Sequence, residues 1–186
     1  AFIAICRTYS PVLEQFSVDE CFIEMTGRVD KKKAFAAADA LRREIASRLG
    51  FTVNIGVGPN KLLAKMASDF EKPDKVHTLW TEEIPDKMWP LPVGDLLWVG
   101  RKSAEKLIAC GIKTIGQLAV APDNVMLHIF GPKGARTARD SANGKDDSPV
   151  CTQEEEAKSY SAERTFPNDI SDPALLDRQL FNVACI

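Results

Sequence analysis

The chain has 186 residues, with 45% apolar and 27% charged residues and a net charge of −2. These values suit a soluble globular protein with one large or two small domains, and they give no global basic signal for nucleic-acid binding. No apolar run approaches a membrane span, and the N-terminus lacks the pattern of a signal peptide. The five cysteines (Cys6, Cys21, Cys110, Cys151, Cys185) are scattered without a Cys-x-x-Cys pair. Such a set predicts reduced thiols and a cytoplasmic protein, and the distant His77 and His128 argue against zinc.

Phe2, Ile5 and Cys6 predict a first helix that ends before Pro11. The chain begins without Met and stops inside the helical pattern "LLDRQLFNVACI", which predicts a fragment cut at both ends. "VLEQFSV" and "CFIEMT" read as two short strands of a hairpin, separated only by Asp19 and Glu20. A two-residue turn prefers Asn-Gly or Asp-Gly, so an Asp-Glu turn is a local inconsistency. A turn breaks the alternation of strand side chains, and both carboxylates can then converge on one hard cation such as Mg²⁺. Two solvated turn acids remain the alternative.

A helix follows from about Ala34 to Leu49, with Phe35, Ala38, Leu41, Ile45 and Leu49 near one face. "FTVNIGVG" is then a strand, "PNKLLAKMASDF" a helix opened by Pro59 or Asn60, and "VHTLW" a strand. Alternating strand pairs and helices predict an α+β layer, with a sheet on one side and helices on the other. Lys61, Lys65 and Lys72 could neutralise a triphosphate, or form a solvated helix face.

Beyond Thr81 only short helices are expected, with a domain boundary around residues 80 to 90. "LLWVGRKSAEKLIACGI" reads like a helix-hairpin-helix, in which backbone N–H groups grip a DNA phosphate. That unit usually carries Gly-x-Gly, and Trp98 stands at its first Gly position, where a positive φ is unfavourable for Trp. Lys133, Arg136, Arg139 and Lys145 could form a basic face along "GPKGARTARDSANGK". "NGKDDSPVCTQEEEAK" is linker-like. After it, "SYSAERTF" predicts a strand and "DPALLDRQLFNVACI" a helix.

In order, these pieces resemble the Y-family, lesion-bypass DNA polymerases, with the flavour of the bacterial SOS-mutagenesis and polymerase IV branches. "YSPVLEQFSVDECFIEMTG" and "NIGVGPNKLLAKMASDFEKPDK" are similar to the two palm motifs of that family. "WVGRKSAEKLIACGIKTIGQLA" resembles its thumb and "KSYSAERTF" the start of its little finger. The resemblance implies a partial palm over residues 1–80 and an all-helical thumb with a helix-hairpin-helix over 81–148. A linker over 149–158 and the start of an α/β little finger over 159–186 would follow.

It further implies that Asp19 and Glu20 are catalytic and bind two Mg²⁺ ions, and that Lys72 contacts the triphosphate of an incoming dNTP. Val99, Gly100, Arg101, Lys102, Ser103 and Ala104 would grip the primer backbone. The implied function is template-directed synthesis past damaged bases, in DNA repair and the SOS response. Primer–template DNA and a dNTP are the implied partners, with a sliding clamp through regions outside this chain and no membrane. The family's first metal-binding Asp and its fingers would precede Ala1, so the chain alone is expected to be inactive. Two other readings stand beside this one, a non-catalytic helix-hairpin-helix DNA-binding module and another two-metal palm enzyme. The latter predicts no helical domain after the palm.

Overall fold

A computed structural model of the chain describes residues 1–152, 159 and 161–185, which fall in two compact units, Ala1–Thr152 and Gln153–Ile186. In the first unit, α1 (Phe2–Tyr9) buries Ile5 and Cys6 and stops at the extended Ser10, next to Pro11. Strands β1 (Leu13–Gln15) and β2 (Cys21–Ile23) pair antiparallel, with Leu13 opposite Ile23 and Gln15 opposite Cys21.

Helix α2 (Lys31–Leu49) starts earlier than expected, directly after Asp30. Its first turn is Lys31-Lys32-Lys33, a basic start that opposes the helix dipole and hides the boundary in the sequence. Ala38, Leu41 and Ile45 are buried, but Phe35 is exposed, contrary to expectation. At 100° per residue Phe35 lies at the edge of the stripe those three residues define. Gly50, at φ +76°, closes the helix in the left-handed conformation.

Strand β3 (Ile55–Val57), helix α3 (Lys61–Ser68) and strand β4 (Val76–Thr78) form a unit in which β3 and β4 pair parallel through the α3 crossover. Asn60 caps α3, its side chain accepting from the Leu63 N–H at 2.8 Å. The backbone of α3 lies directly on β3. A Cβ at Gly56 would sit 1.8 Å from the Ala64 carbonyl oxygen, so only glycine fits there. The β1–β2 and β3–β4 pairs form separate two-stranded sheets among the described residues, rather than the single layer expected.

From Thr81 the chain is helical. Short turns at Thr81–Glu83, Ile84–Met88 and Val93–Asp95 lead into α4 (Arg101–Ala109), α5 (Ile115–Ala119) and α6 (Asp123–Ala142). Thr114 and Gln117 form a capping box at the start of α5. Helix α6 breaks at Gly131 (φ +69°), just before Pro132. Two cores result. The smaller joins Ile5, Cys6, Leu13, Leu41 and Ile45. The larger joins Leu62, Leu63, Met66 and Ala67 of α3 to Leu79, Met88, Val93, Leu107, Ile115 and Leu118. Helix α3 is thus shared between the strands and the helices that follow.

The segment after α6 is strapped across the start of α3. Asn60 Nδ2 donates to the Gly144 carbonyl at 2.8 Å, and the Leu62 N–H donates to Asp146 Oδ2 at 3.1 Å. The Cys151 N–H reaches Glu14 of β1 at 2.8 Å. Most of the expected linker, residues 153–158, lies outside the described residues.

In the second unit the strand expected in "SYSAERTF" is not formed over residues 161–166, and Tyr160 lies outside the described residues. A three-residue ladder needs a partner strand, and no strand is described in this unit. Helix α7 (Pro173–Ala184) is capped by the Asp172 carboxylate and opens with Pro173. No helix among the described residues is long and apolar enough to cross a membrane.

Candidate functional site

The β1–β2 connection is the loop 16–20 rather than a two-residue turn. The Phe16 and Ser17 N–H groups both donate to the Glu20 carbonyl, at 2.9 and 3.2 Å, and close it. Ser17 Oγ donates to Asp19 Oδ1 at 2.8 Å. This longer loop removes the misfit in turn chemistry, because no Asn-Gly pair is needed. Val18 protrudes at the tip, while Asp19 and Glu20 both line one cleft of about 980 Å³.

Across that cleft lies α3. Lys65 Nζ pairs with Glu20 Oε1 at 2.7 Å and with Asp69 Oδ2 at 3.2 Å, and Lys72 pairs with Asp69 Oδ1 at 2.7 Å. The result is an alternating row of charges, Glu20–Lys65–Asp69–Lys72. Burial pushes the Lys65 pKa down, but the hydrogen bonds to Glu20 and Asp69 outweigh it and raise the pKa above its ordinary value. Burial likewise pushes the Asp69 carboxyl up, and its bonds to Lys72 and Lys65 bring it below the usual carboxylate range. Beside this row Lys61 pairs with Glu14 at 2.9 Å, the same carboxylate that accepts from Cys151.

The structure therefore brings Asp19, Glu20 and Lys72 into one cleft. Asp69, which couples Lys65 to Lys72, was missed in the sequence. The spacing of Lys65 and Asp69 (i, i+4) was the available signal. The donor chemistry fits a hard divalent cation, with two adjacent carboxylates and Lys65 as the cation now on Glu20. Among the described residues, no three His, Cys, Asp or Glu side chains gather as a complete metal site.

Of the six residues expected to grip a phosphate, Val99 and Ala104 are buried in the larger core. The Ser103 and Ala104 N–H groups donate to the Gly100 carbonyl. Gly100 precedes α4 as its N-cap without a side-chain capping bond, and Arg101 and Lys102 are exposed beside it. Trp98 corrects the sequence expectation. It adopts φ +74°, the conformation a glycine would take, and its ring packs edge-on against Phe16 with centroids 6.3 Å apart. The basic face expected on α6 is interrupted, since Arg139 bonds Asp123 and the Ala121 carbonyl.

The model of the impB/mucB/samB family matches residues 1–69. The chain is 41% identical over 168 residues to DNA polymerase IV of Clostridium acetobutylicum, covering 90% of this chain and 42% of that protein. It is 38% identical to DNA polymerase IV 1 of Bacillus subtilis, covering 92% of this chain and 42% of that protein. It also resembles the solved structure of DinB from Sulfolobus solfataricus, at TM-score 0.73 and 25% identity over 80% of this chain and 44% of the other. A Y-family polymerase chimera, Dbh-Dpo4(243-245)-Dbh, shares the fold at TM-score 0.81 over 98% of this chain and 53% of the other. The chain thus has the mixed α and β fold of these polymerase structures, and its sequence is similar to the impB/mucB/samB family over residues 1–69 and to proteins named DNA polymerase IV over about nine-tenths of its length. The two curated relatives named here are both called DNA polymerase IV, and the chain spans about two-fifths of their length.

Proposed function

We propose that this chain carries the catalytic hairpin and part of the DNA grip of a lesion-bypass DNA polymerase, active in the full-length protein in DNA repair and the SOS response. The observation that carries this reading is the convergence of Asp19, Glu20, Lys65 and Lys72 on one cleft. Residues 1–80 act as part of the palm, 81–148 as the thumb, and 159–186 as the start of the little finger. Asp19 and Glu20 would hold Mg²⁺, which supplies charge neutralisation at the attacking and leaving oxygens of phosphoryl transfer. Lys72 neutralises the triphosphate as a point charge, and Asp69 holds it at the cleft until then. Gly100, Arg101 and Lys102 grip the primer backbone through exposed N–H groups and positive charge.

The helical segments after residue 81 favour this reading over a two-metal enzyme built from a palm alone. The paired acids favour it over a DNA-binding module without chemistry. Two carboxylates without a third hold metal poorly, so the chain assayed alone extends no primer.

Primer extension by the full-length protein tests the proposal. Asp19→Asn and Glu20→Gln are each expected to slow extension by about two to three orders of magnitude, as loss of a preorganised electrostatic group does elsewhere. Duplex affinity should be retained. Undiminished extension by both variants would overturn the assignment.

A further inference from the structure

Trp98 is the residue the proposed function does not absorb. It holds a left-handed backbone that glycine adopts freely and tryptophan does not. Its side chain is nevertheless 71% exposed. A strained aromatic residue with most of its ring in water is not explained by core packing. The ring is placed by contact, however, because its edge meets Phe16 at an interplanar angle of 74°. Phe16 in turn meets Phe22 edge-on at 5.3 Å. Phe22 is covered by Lys61, with Nζ 5.5 Å from the ring centroid. The aromatic row thus ties the loop that bears Asp19 and Glu20 to the loop that precedes α4.

Two residues beyond Trp98 stand Gly100 and the exposed Arg101 and Lys102. Three residues beyond Phe16 stands Asp19. The Trp98–Phe16 contact therefore joins the segment that carries Arg101 and Lys102 to the segment that carries Asp19 and Glu20. We infer that Trp98 is a positioning residue for the primer strand. Its open face packs on the sugar of a nucleotide near the primer end, between the α4 loop and the acids. An indole suits this task because it is rigid, apolar and orders little side-chain entropy on contact. Positive charge at Arg101 and Lys102 favours a nucleic-acid strand as the occupant over an apolar protein surface. The inference rests on the polymerase reading.

The experiment is fluorescence anisotropy of this chain with a labelled primer–template carrying a recessed 3′ end. Trp98→Gly suits the backbone conformation, so its thermal midpoint should equal or exceed that of the parent. Its affinity for the recessed-end DNA should fall about tenfold, and Trp98→Phe should restore most of the loss. Tryptophan emission should change on DNA addition in the parent and not in Trp98→Phe. If Trp98→Gly binds as the parent does, the inference fails while the polymerase reading stands. If the parent itself shows no affinity, the inference fails, and primer extension by the full-length protein decides the polymerase reading separately. Sedimentation showing that Phe16, Val18 and Trp98 mediate a dimer lost in Trp98→Gly would also overturn the inference.

Discussion

Gly56→Ala tests how the site is held. An added Cβ would lie 1.8 Å from the Ala64 carbonyl oxygen, 2.5 Å from the Ser68 nitrogen and 2.9 Å from the Ala64 carbonyl carbon. All three are backbone atoms of α3, so no rotamer change relieves the clash. Helix α3 must withdraw from β3 by roughly 1.5 Å to restore ordinary contact, and its far side cannot easily yield. Leu63 and Ala67 there are wholly buried, and Leu62 and Met66 nearly so. Overpacking in a core costs about 1–3 kcal/mol, and a backbone-on-backbone clash belongs at or above the upper end. The expected loss is therefore about 3 kcal/mol or more. For a chain of this length that corresponds to a fall in Tm of roughly 6–12 °C. Urea unfolding followed by circular dichroism measures it, with Gly100→Ala as control, since a Cβ there meets nothing within 4 Å. The control should lose about 1 kcal/mol or less. A loss below about 1 kcal/mol for Gly56→Ala would refute the close approach of α3 to β3 and, with it, the reach of Lys65 to Glu20.

Other perturbations probe separate parts. Asn60→Ala removes both the cap on Leu63 and the bond to Gly144, and should cost about 1–2 kcal/mol in the same unfolding assay. Glu14 is pushed up by burial, yet the Cys151 N–H and Lys61 hold its pKa below the ordinary value, and Asp69 and Asp146 are lowered as well. Carboxylates with depressed folded pKa values contribute stability above their unfolded pKa, near 4, and lose it as pH falls through the folded values. Stability should therefore decline with acidification below about pH 4.5, and Glu14→Gln should flatten that decline. Arg139→Ala should lower Tm with little change in DNA affinity, because its guanidinium ties the second half of α6 to Asp123 at the helix start and to the Ala121 carbonyl just before it. Lys102→Ala should do the reverse and reduce the salt slope of DNA binding by about one.

Much of the architecture was legible because it follows local periodicity. The α1 face, the Asn60 cap and the Pro and Gly breaks after Thr81 are written in neighbouring residues. Asp19 and Glu20 stood out as candidates for a different reason, since two charges inside an apolar run demand an explanation. What failed was tertiary. Phe35 has an apolar side chain at the margin of a helix stripe, and only the packing of α2 decides its exposure. The loop 16–20 depends on the Glu20 carbonyl accepting two N–H groups, which side-chain patterns do not encode. Trp98 violates a local preference, and the contact with Phe16 comes from a segment about 80 residues away. A strand at "SYSAERTF" needs a neighbour to pair with, and propensity alone cannot supply one.

The row Glu20–Lys65–Asp69–Lys72 explains how paired acids can stand in a cleft without unfolding it. Glu20 alone beside Asp19 would leave two like charges close together, each disfavouring the other. Lys65 offsets one of them, and its ammonium is itself partly withdrawn from water, with only 17% of the side chain exposed. That withdrawal is tolerable because Lys65 has a second carboxylate, Asp69, on its own helix. On the proposed function, a divalent cation at the acids would leave Lys65 its pair with Asp69, and Lys72 would exchange Asp69 for an anionic ligand. The Lys72–Asp69 pair lies between side chains 58% and 43% exposed, where a single pair is worth about 1 kcal/mol or less. At its Lys72 end the row is therefore weak enough to be rearranged, as the proposed function requires, by an anionic ligand such as a phosphate chain.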